Sequence, residues 1–209
     1  MEANFWHQMW EGGVLGFHQQ EMNSFLTQHW QKLGLNGDEQ VLVPLCGKSL
    51  DMLWLAQQGF AVLGVELSQQ ALDSFIEENG LTAKAVQHEL FSGYESKPLT
   101  LLCGDFFKLS HQDCRNVKAV YDRAAIVALP PEMRQQYARH LQSILPQGTK
   151  YLMVIMDYDQ ALMPGPPFSV SEAELRELFA DFTSIEKVAE VAFERKGVPT
   201  KEMAFVMTA

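Results

Sequence analysis

The chain of 209 residues lacks the features that mark several classes of protein. It has three cysteines, Cys46, Cys103 and Cys114, and no C-x-x-C pair, so neither a disulfide framework nor a zinc-binding spacing is expected. Its six histidines do not form an H-E-x-x-H motif. Its apolar runs fall far short of the roughly 20 residues that a membrane-spanning helix needs. We therefore expect no metal site and no membrane span.

Basic residues are also scarce. The 16 Lys and Arg against 26 Asp and Glu give a formal charge of −10. Affinity for phosphate backbones comes from clustered Lys and Arg, so we do not expect nucleic acid as a partner. The first basic residue is Lys32, so the chain does not open with the basic region of a signal peptide. We expect a cytoplasmic protein, and a monomer because no long exposed apolar stripe is evident.

Short apolar runs alternate with helix-like patterns along the chain. The runs that predict buried strands are 41–45, 61–65, 99–102, 117–121 and 151–156. Ser68 and Ser171 are placed to cap two of the helices. Two further strands, 185–192 and 203–207, have no helix between them and predict an antiparallel hairpin at the sheet edge. The pattern predicts one α/β domain over 1–209, with a mostly parallel seven-stranded sheet that binds its ligand at the carboxyl ends of the strands.

The first candidate site lies between the first strand and its helix, in PLCGKSLD at 44–51. Its single glycine, Gly47, does not satisfy the G-x-G-x-x-G dinucleotide fingerprint, so an ordinary strand–helix turn is an open alternative. Glu66, 19 residues after Gly47, ends the second strand. A carboxylate there is placed to accept both hydrogen bonds of a ribose diol, which favours a nucleoside-containing ligand.

Polar residues also follow the third and fourth strands. Asp105 could accept from an adenine amine while Phe106 stacks on the ring, although both Phe106 and Phe107 could be core, and for Phe107 we expect the core. Arg123 could position an anionic acceptor. A plain Asp122–Arg123 ion pair is the alternative, because buried charges need partners.

The amino-terminal segment, 1–35, is rich in aromatic residues. Trp6 and Trp10 are four residues apart and so share one helix face. We expect Trp6 to pack in the core, and Trp10 with Phe17 to form a helical lid, since aromatic faces attract cations and stack on planar rings.

Several short motifs occur together over nearly the whole chain. They are W-x-x-x-W at Trp6 and Trp10, GFHQ at 16–19, PLCGKSLDM at 44–52, GVELS at 64–68, YDRAAIVALPP at 121–131, YD at 158–159 and PGPPF at 164–168. In this combination the sequence resembles the thiopurine S-methyltransferase family. The resemblance implies a Rossmann-like class I methyltransferase fold whose final strand is antiparallel. It also implies S-adenosylmethionine as methyl donor and a thiopurine or similar aromatic thiol as acceptor.

The resemblance also implies site residues. Cofactor contacts would fall on Trp10, Leu45 (through its backbone), Glu66 and Arg123, with Phe106 beside the adenine. From their own positions we add Gly47 and Asp105 as hypothetical cofactor contacts. The acceptor pocket would be lined by Phe17, His18, Pro166 and Phe168. Arg123 would position the acceptor for in-line displacement, and no covalent nucleophile would be needed.

Three alternatives stay open. Within methyl transfer, the acceptor could be a selenium or tellurium species, as in metalloid resistance. An NAD-dependent oxidoreductase shares the fold and the ribose-binding acid but expects the missing G-x-G-x-x-G. A noncatalytic nucleoside-binding module would keep Glu66 but need no aromatic lid.

Overall fold

The computed structural model describes residues 3–12 and 19–209, which form a central sheet flanked by helices. Its strands are β1 (Gln40–Pro44), β2 (Ala61–Glu66), β3 (Lys84–His88), β4 (Phe91–Ser96), β5 (Leu99–Cys103), β6 (Val117–Arg123), β7 (Lys150–Tyr158), β8 (Ser184–Arg195) and β9 (Val198–Thr208). Its helices are α1 (Ala3–Glu11), α2 (Ser24–His29), α3 (Asp51–Gln57), α4 (Gln69–Glu78), α5 (His111–Cys114), α6 (Pro131–Ile144) and α7 (Glu172–Leu178). Short 3₁₀ turns lie at Trp30–Leu33, Phe106–Lys108 and Ile126–Ala128.

The sheet order is β3-β4-β5-β2-β1-β6-β7-β9-β8. Its five middle strands, β5, β2, β1, β6 and β7, run parallel to one another. The last strand in the chain, β9, runs antiparallel between β7 and β8. The predicted α/β architecture and the antiparallel final strand are therefore confirmed.

Residues 3–12 and 19–209 form a sheet of nine strands, where the sequence predicted seven. The two additional strands, β3 and β4, form an antiparallel hairpin on the β5 edge. Every residue of β3 except Val86 is exposed, so the strand lacks the apolar run that marks a buried strand. An exposed edge strand of this kind is stabilised mainly by its backbone hydrogen bonds, so its sequence does not show the apolar pattern from which strands are predicted.

Apolar side chains cover both faces of the sheet, because successive residues of a strand point to opposite sides. On β1, Leu42 belongs to the cluster on one face, while Val41 and Val43 belong to the cluster on the other. This two-sided burial explains why the parallel strands read as continuous apolar runs. None of the helices in residues 3–12 and 19–209 combines the length and apolar character of a membrane-spanning segment.

A buried carboxylate, that of Asp51, connects α3 with β6 and with the segment before α2. Asp51, at the start of α3, accepts the Tyr121 hydroxyl at 2.9 Å and the backbone N–H of Asn23 at 2.7 Å. Asn23 in turn caps α2, accepting the N–H of Phe25 with its side chain. The segment that follows the amino-terminal aromatics is thus anchored to α3 and β6.

Candidate active site

The loops at the carboxyl ends of β1, β2, β5 and β6 surround a cavity of about 670 Å³. This is the edge at which doubly wound sheets bind ligands. Helix α1 forms part of the wall through Phe5, Trp6, Met9 and Trp10. Other lining residues are Leu45, Cys46, Gly47, Lys48, Ser49, Glu66, Asp105, Phe106, Phe107, Arg123, Ala124, Pro166, Pro167, Arg195 and Lys196. Most of the residues that the sequence singled out therefore meet at one place.

The loop after β1 is held against the end of β2 by Glu66. One carboxylate oxygen accepts the N–H of Gly47 at 2.8 Å and the other accepts the N–H of Ser68 at 2.9 Å. Gly47 has φ +52 and Leu45 has φ +48, so the loop turns through the left-handed region at both residues. The N–H of Cys46, between them, donates to the carbonyl of Val65. The loop backbone is therefore fixed from two sides.

Glu66 is itself only 7% exposed. Burial raises the pKa of its carboxyl group, and the N–H groups of Ser68 and Gly47 oppose that rise by stabilising the charged form. A carboxylate offers about four lone-pair positions, so two backbone donors leave capacity for a diol. Glu66 therefore holds the backbone of the loop in place, and its contact with a ribose stays a prediction.

The 3₁₀ turn after β5 presents two aromatic rings. Asp105 caps it by accepting the N–H of Phe107 at 3.0 Å. Phe106 is 5% exposed and packs against Tyr137 and, edge-on, against His140. Phe107, which we expected in the core, is half-buried and lines the cavity beside Phe106. Both rings reach the wall because the two residues sit in one tight turn.

The side chains of Asp122 and Arg123 point to opposite faces of β6, as consecutive strand residues must. Asp122 is fully buried, and it accepts the Tyr137 hydroxyl at 2.7 Å and the N–H of Ile126 at 3.2 Å. Burial raises the pKa of Asp122 to about 6. Asp122 is therefore stabilised by these hydrogen bonds and not by an ion pair with Arg123. Arg123 lines the cavity.

A second cavity, of about 340 Å³, adjoins the first and shares Arg123 with it. Its other lining residues are Gln19, Ala124, Val127, Val154, Ile155, Met156, Pro167, Val191, Phe193, Arg195 and Glu202. Sequence reasoning missed Arg195 and Glu202, which lie on the β8–β9 hairpin. In the sequence they are simply charged residues in an edge hairpin. Which face of the sheet they occupy follows only from the pairing register, which the sequence does not give.

In helix α1, Trp10 is 4% exposed and Trp6 is half-buried, and both line the larger cavity. Trp6 thus lies at the cavity wall, where we had expected core packing. Phe17 and His18, predicted in the acceptor pocket, lie outside the described residues.

The proline loop contributes Pro166 and Pro167 to the cavity wall. The structure does not place Phe168 there. Its N–H donates to the carbonyl of Val127 at 2.6 Å, and its ring lies over Gly165, where a Cβ would approach the ring to 2.7 Å. Tyr158 fixes the loop by donating its hydroxyl to the carbonyl of Pro167 at 2.6 Å. Within residues 3–12 and 19–209, no cluster of three or more His, Cys, Asp or Glu side chains could hold a metal ion.

The fold is similar to solved methyltransferases of low sequence identity. A Burkholderia thailandensis 1,6-didemethyltoxoflavin-N1-methyltransferase, solved with bound 1,6-didemethyltoxoflavin and S-adenosylhomocysteine, matches with a TM-score of 0.66 at 15% identity, over 99% of this chain and 87% of that one. A Synechocystis magnesium protoporphyrin IX methyltransferase, solved with S-adenosylhomocysteine, matches with a TM-score of 0.64 at 14% identity, over 98% and 99%. These similarities confirm the Rossmann-like methyltransferase fold.

Sequence relatives are much closer. Thiopurine S-methyltransferase of Pseudomonas entomophila (strain L48) is 51% identical over 86% of this chain and 83% of its own length. The enzyme of the same name from Pseudomonas paraeruginosa (strain DSM 24068 / PA7) is 50% identical over 90% and 86%. The family model described as thiopurine S-methyltransferase matches residues 1–206. The chain therefore belongs to the thiopurine S-methyltransferase family.

Proposed function

We propose that the chain transfers the methyl group of S-adenosylmethionine to the sulfur of a thiopurine or a similar aromatic thiol, and releases S-adenosylhomocysteine. The observation that carries this proposal is the convergence of Glu66, Phe106 and Arg123 on one cavity at the carboxyl ends of the strands. The names of the relatives support the choice of acceptor.

The residues of the larger cavity fit S-adenosylmethionine. Glu66 has acceptor positions left for the ribose hydroxyls after binding Gly47 and Ser68. Phe106 and Phe107 supply apolar ring surface for the adenine, and Asp105 lies beside them to accept from its amine. The backbone of Leu45 and Gly47 borders the same space, and the ring of Trp10 suits the positive sulfonium group.

Bound there, the cofactor supplies an electrophilic methyl group on a sulfonium sulfur. The acceptor thiolate forms the new S–C bond as the sulfonium S–C bond breaks, and the released electron pair stays on the sulfur of S-adenosylhomocysteine. Arg123, which lines both cavities, favours the thiolate over the thiol because a nearby cation lowers the pKa of an acid. Holding the two reactants in line can contribute up to roughly 7–11 kcal/mol in favourable cases.

Pro166 and Pro167 border the space where the two cavities meet the proline loop, and the second cavity contributes the apolar surface of Val191 and Phe193. We assign the acceptor to this side. Because the thiolate is a good nucleophile, no side chain has to act as a covalent nucleophile or strong base.

The assay that tests the proposal has two arms. Calorimetry and thermal unfolding compare S-adenosylhomocysteine with NAD, and turnover is measured with thiopurines, thiophenols, selenite and tellurite. We expect S-adenosylhomocysteine to bind, and at about 100 times its Kd to add about 2.7 kcal/mol to the free energy of unfolding.

Each alternative predicts a different result. Binding of NAD without S-adenosylhomocysteine would mean an oxidoreductase, which the missing G-x-G-x-x-G and the family membership do not favour. Turnover of selenite or tellurite in preference to thiols would mean that the acceptor is a selenium or tellurium species. Binding without any turnover would indicate a noncatalytic nucleoside-binding module.

We further propose a cytoplasmic monomer that does not bind nucleic acid. The formal charge of −10 supports the last point, because phosphate backbones are bound by clustered Lys and Arg. Light scattering, cell fractionation and a binding titration with duplex DNA test the three statements separately.

A further inference from the structure

Glu202 belongs to a row of side chains that crosses three strands. Met156 of β7, Glu202 of β9 and Val191 of β8 are direct partners in the ladder. Directly opposed residues present their side chains on the same face of a sheet. All three residues line the smaller cavity, so the Glu202 carboxylate belongs to its wall.

Arg123 and Arg195 lie on the same face. Arg123 is paired with Val154, which is paired with Ala204, two residues from Glu202. Arg195, at the end of β8, is four residues beyond Val191 and therefore also on this face. Burial raises the pKa of Glu202, and attraction to Arg123 and Arg195 opposes that rise. The three charges therefore interact across one small space.

Among the described residues that line the smaller cavity, these three carry the formal charges. Two arginines and one glutamate leave a net charge of +1. The Nε of Arg195 is buried and has no hydrogen-bond partner in the described part of the chain, and a buried donor of this kind calls for an acceptor. A thiolate, with one negative charge, matches both features.

We propose that Glu202 is a specificity-determining residue that limits the acceptor to a single negative charge. This inference rests on the proposed methyl transfer and deepens it. A second anionic group on the acceptor would enter a wall whose positive charge is already partly balanced by Glu202. The carboxylate of Glu202 repels that group, so aromatic thiols with an added carboxylate are poor acceptors, whereas uncharged analogues of the same size are good ones.

The test compares para-mercaptobenzamide with para-mercaptobenzoate, which differ in charge but little in shape. We expect the wild-type protein to have the higher kcat/KM for the amide. In Glu202→Gln, the ratio of kcat/KM for the benzoate to that for the amide should rise by about tenfold or more, since unfavourable like-charge contacts are removed. Glu202→Asp keeps the charge and should restore the wild-type ratio, and Glu186→Gln, an exposed position on β8 outside both cavities, should leave it unchanged.

The ratio separates charge selection from a structural role, because a variant that is merely less stable loses both activities together. An unchanged ratio in a folded Glu202→Gln overturns the inference while methyl transfer stands. If Glu202→Gln does not fold, equal kcat/KM for the two thiols in the wild type overturns the inference by itself. A wild-type protein that binds S-adenosylhomocysteine but methylates neither thiol, nor any thiopurine, instead overturns the proposed function.

Discussion

At the scale of the residue, Glu66 determines how two loops of the site are arranged. Its two oxygens hold the loops after β1 and β2 together through Gly47 and Ser68, and its remaining acceptor positions are open to a ribose. Sequence reasoning could find it because a carboxylate that ends the second strand, 19 residues after Gly47, has the spacing expected of a ribose-binding acid. The same reasoning could not find Arg195 and Glu202, since both lie in a hairpin whose inward positions follow only from the register with β7.

Replacement of Glu66 by Gln should weaken the binding of S-adenosylhomocysteine about 10- to 100-fold, because the amide loses a charged acceptor for the diol. Calorimetric titration measures this directly. Glu95→Gln, an exposed position on β4, is the matched control and should bind as the wild type does. Equal affinity in the two variants would refute the placement of the ribose at Glu66.

At the scale of the element, apolar runs predicted the five parallel strands, because a strand buried on both faces is apolar throughout. The edge hairpin was predicted for another reason, since no helix separates the last two strand patterns. The β3–β4 hairpin has no such run. Phe107 shows a similar limit inside the site, because hydrophobicity alone could not indicate that both adjacent rings line the cavity while only Phe106 is buried.

The buried carboxylate of Asp51 gives a prediction about how elements are joined. Tyr121→Phe removes the hydroxyl that donates to Asp51 and should lower the free energy of unfolding by about 1–3 kcal/mol, the cost of leaving a buried charged acceptor short of a donor. Tyr151→Phe is the matched control, because Tyr151 is equally buried and its hydroxyl has no hydrogen-bond partner among the described residues. Urea unfolding should find Tyr151→Phe neutral or stabilising; similar losses in both variants would contradict this account.

The pairing of β4 with β5 depends on Gly93. A Cβ at this position would lie 1.9 Å from the carbonyl oxygen of Leu101, and backbone cannot move aside cheaply. Gly93→Ala should therefore lower the free energy of unfolding by about 1–3 kcal/mol or more and speed hydrogen exchange in β3 and β4. Gly80→Ala, where a Cβ would have open space around it, tests the cost of a left-handed alanine alone and should leave exchange in those strands unchanged. If the β3 and β4 amides of Gly93→Ala exchange as slowly as those of the wild type, the close approach of Gly93 to the Leu101 carbonyl would be refuted.

At the scale of the whole molecule, Asp122 couples stability to pH. Burial raises its pKa from the ordinary 3.8 to about 6, so the folded chain keeps a proton that the unfolded chain has released. Its contribution to stability is complete below pH 3.8 and is lost as the pH rises through about 6. The size of the effect is roughly 2–3 kcal/mol.

The variant Asp122→Asn should remove this dependence, because its oxygen can accept from Ile126 while its amide donates to the Tyr137 hydroxyl. Urea unfolding at several pH values between about 4 and about 6.5 should show the wild type losing roughly 2–3 kcal/mol more than the variant. Parallel pH profiles for the two proteins would contradict the assignment of the titration to Asp122.

The two cavities are lined mainly by different parts of the sheet. Loops after β1, β2 and β5 surround the larger cavity, whereas β7, β8 and β9 provide most of the wall of the smaller one, and Arg123 on β6 borders both. Val191, Phe193 and Glu202 of the hairpin line the smaller cavity alone, whereas Arg195 lines both cavities and Lys196 lines the larger one. Substitutions at the first three can therefore reshape the smaller cavity without disturbing the Glu66 loop. The hairpin sequence can thus vary and alter the smaller cavity while the loops joined by Glu66 keep their arrangement.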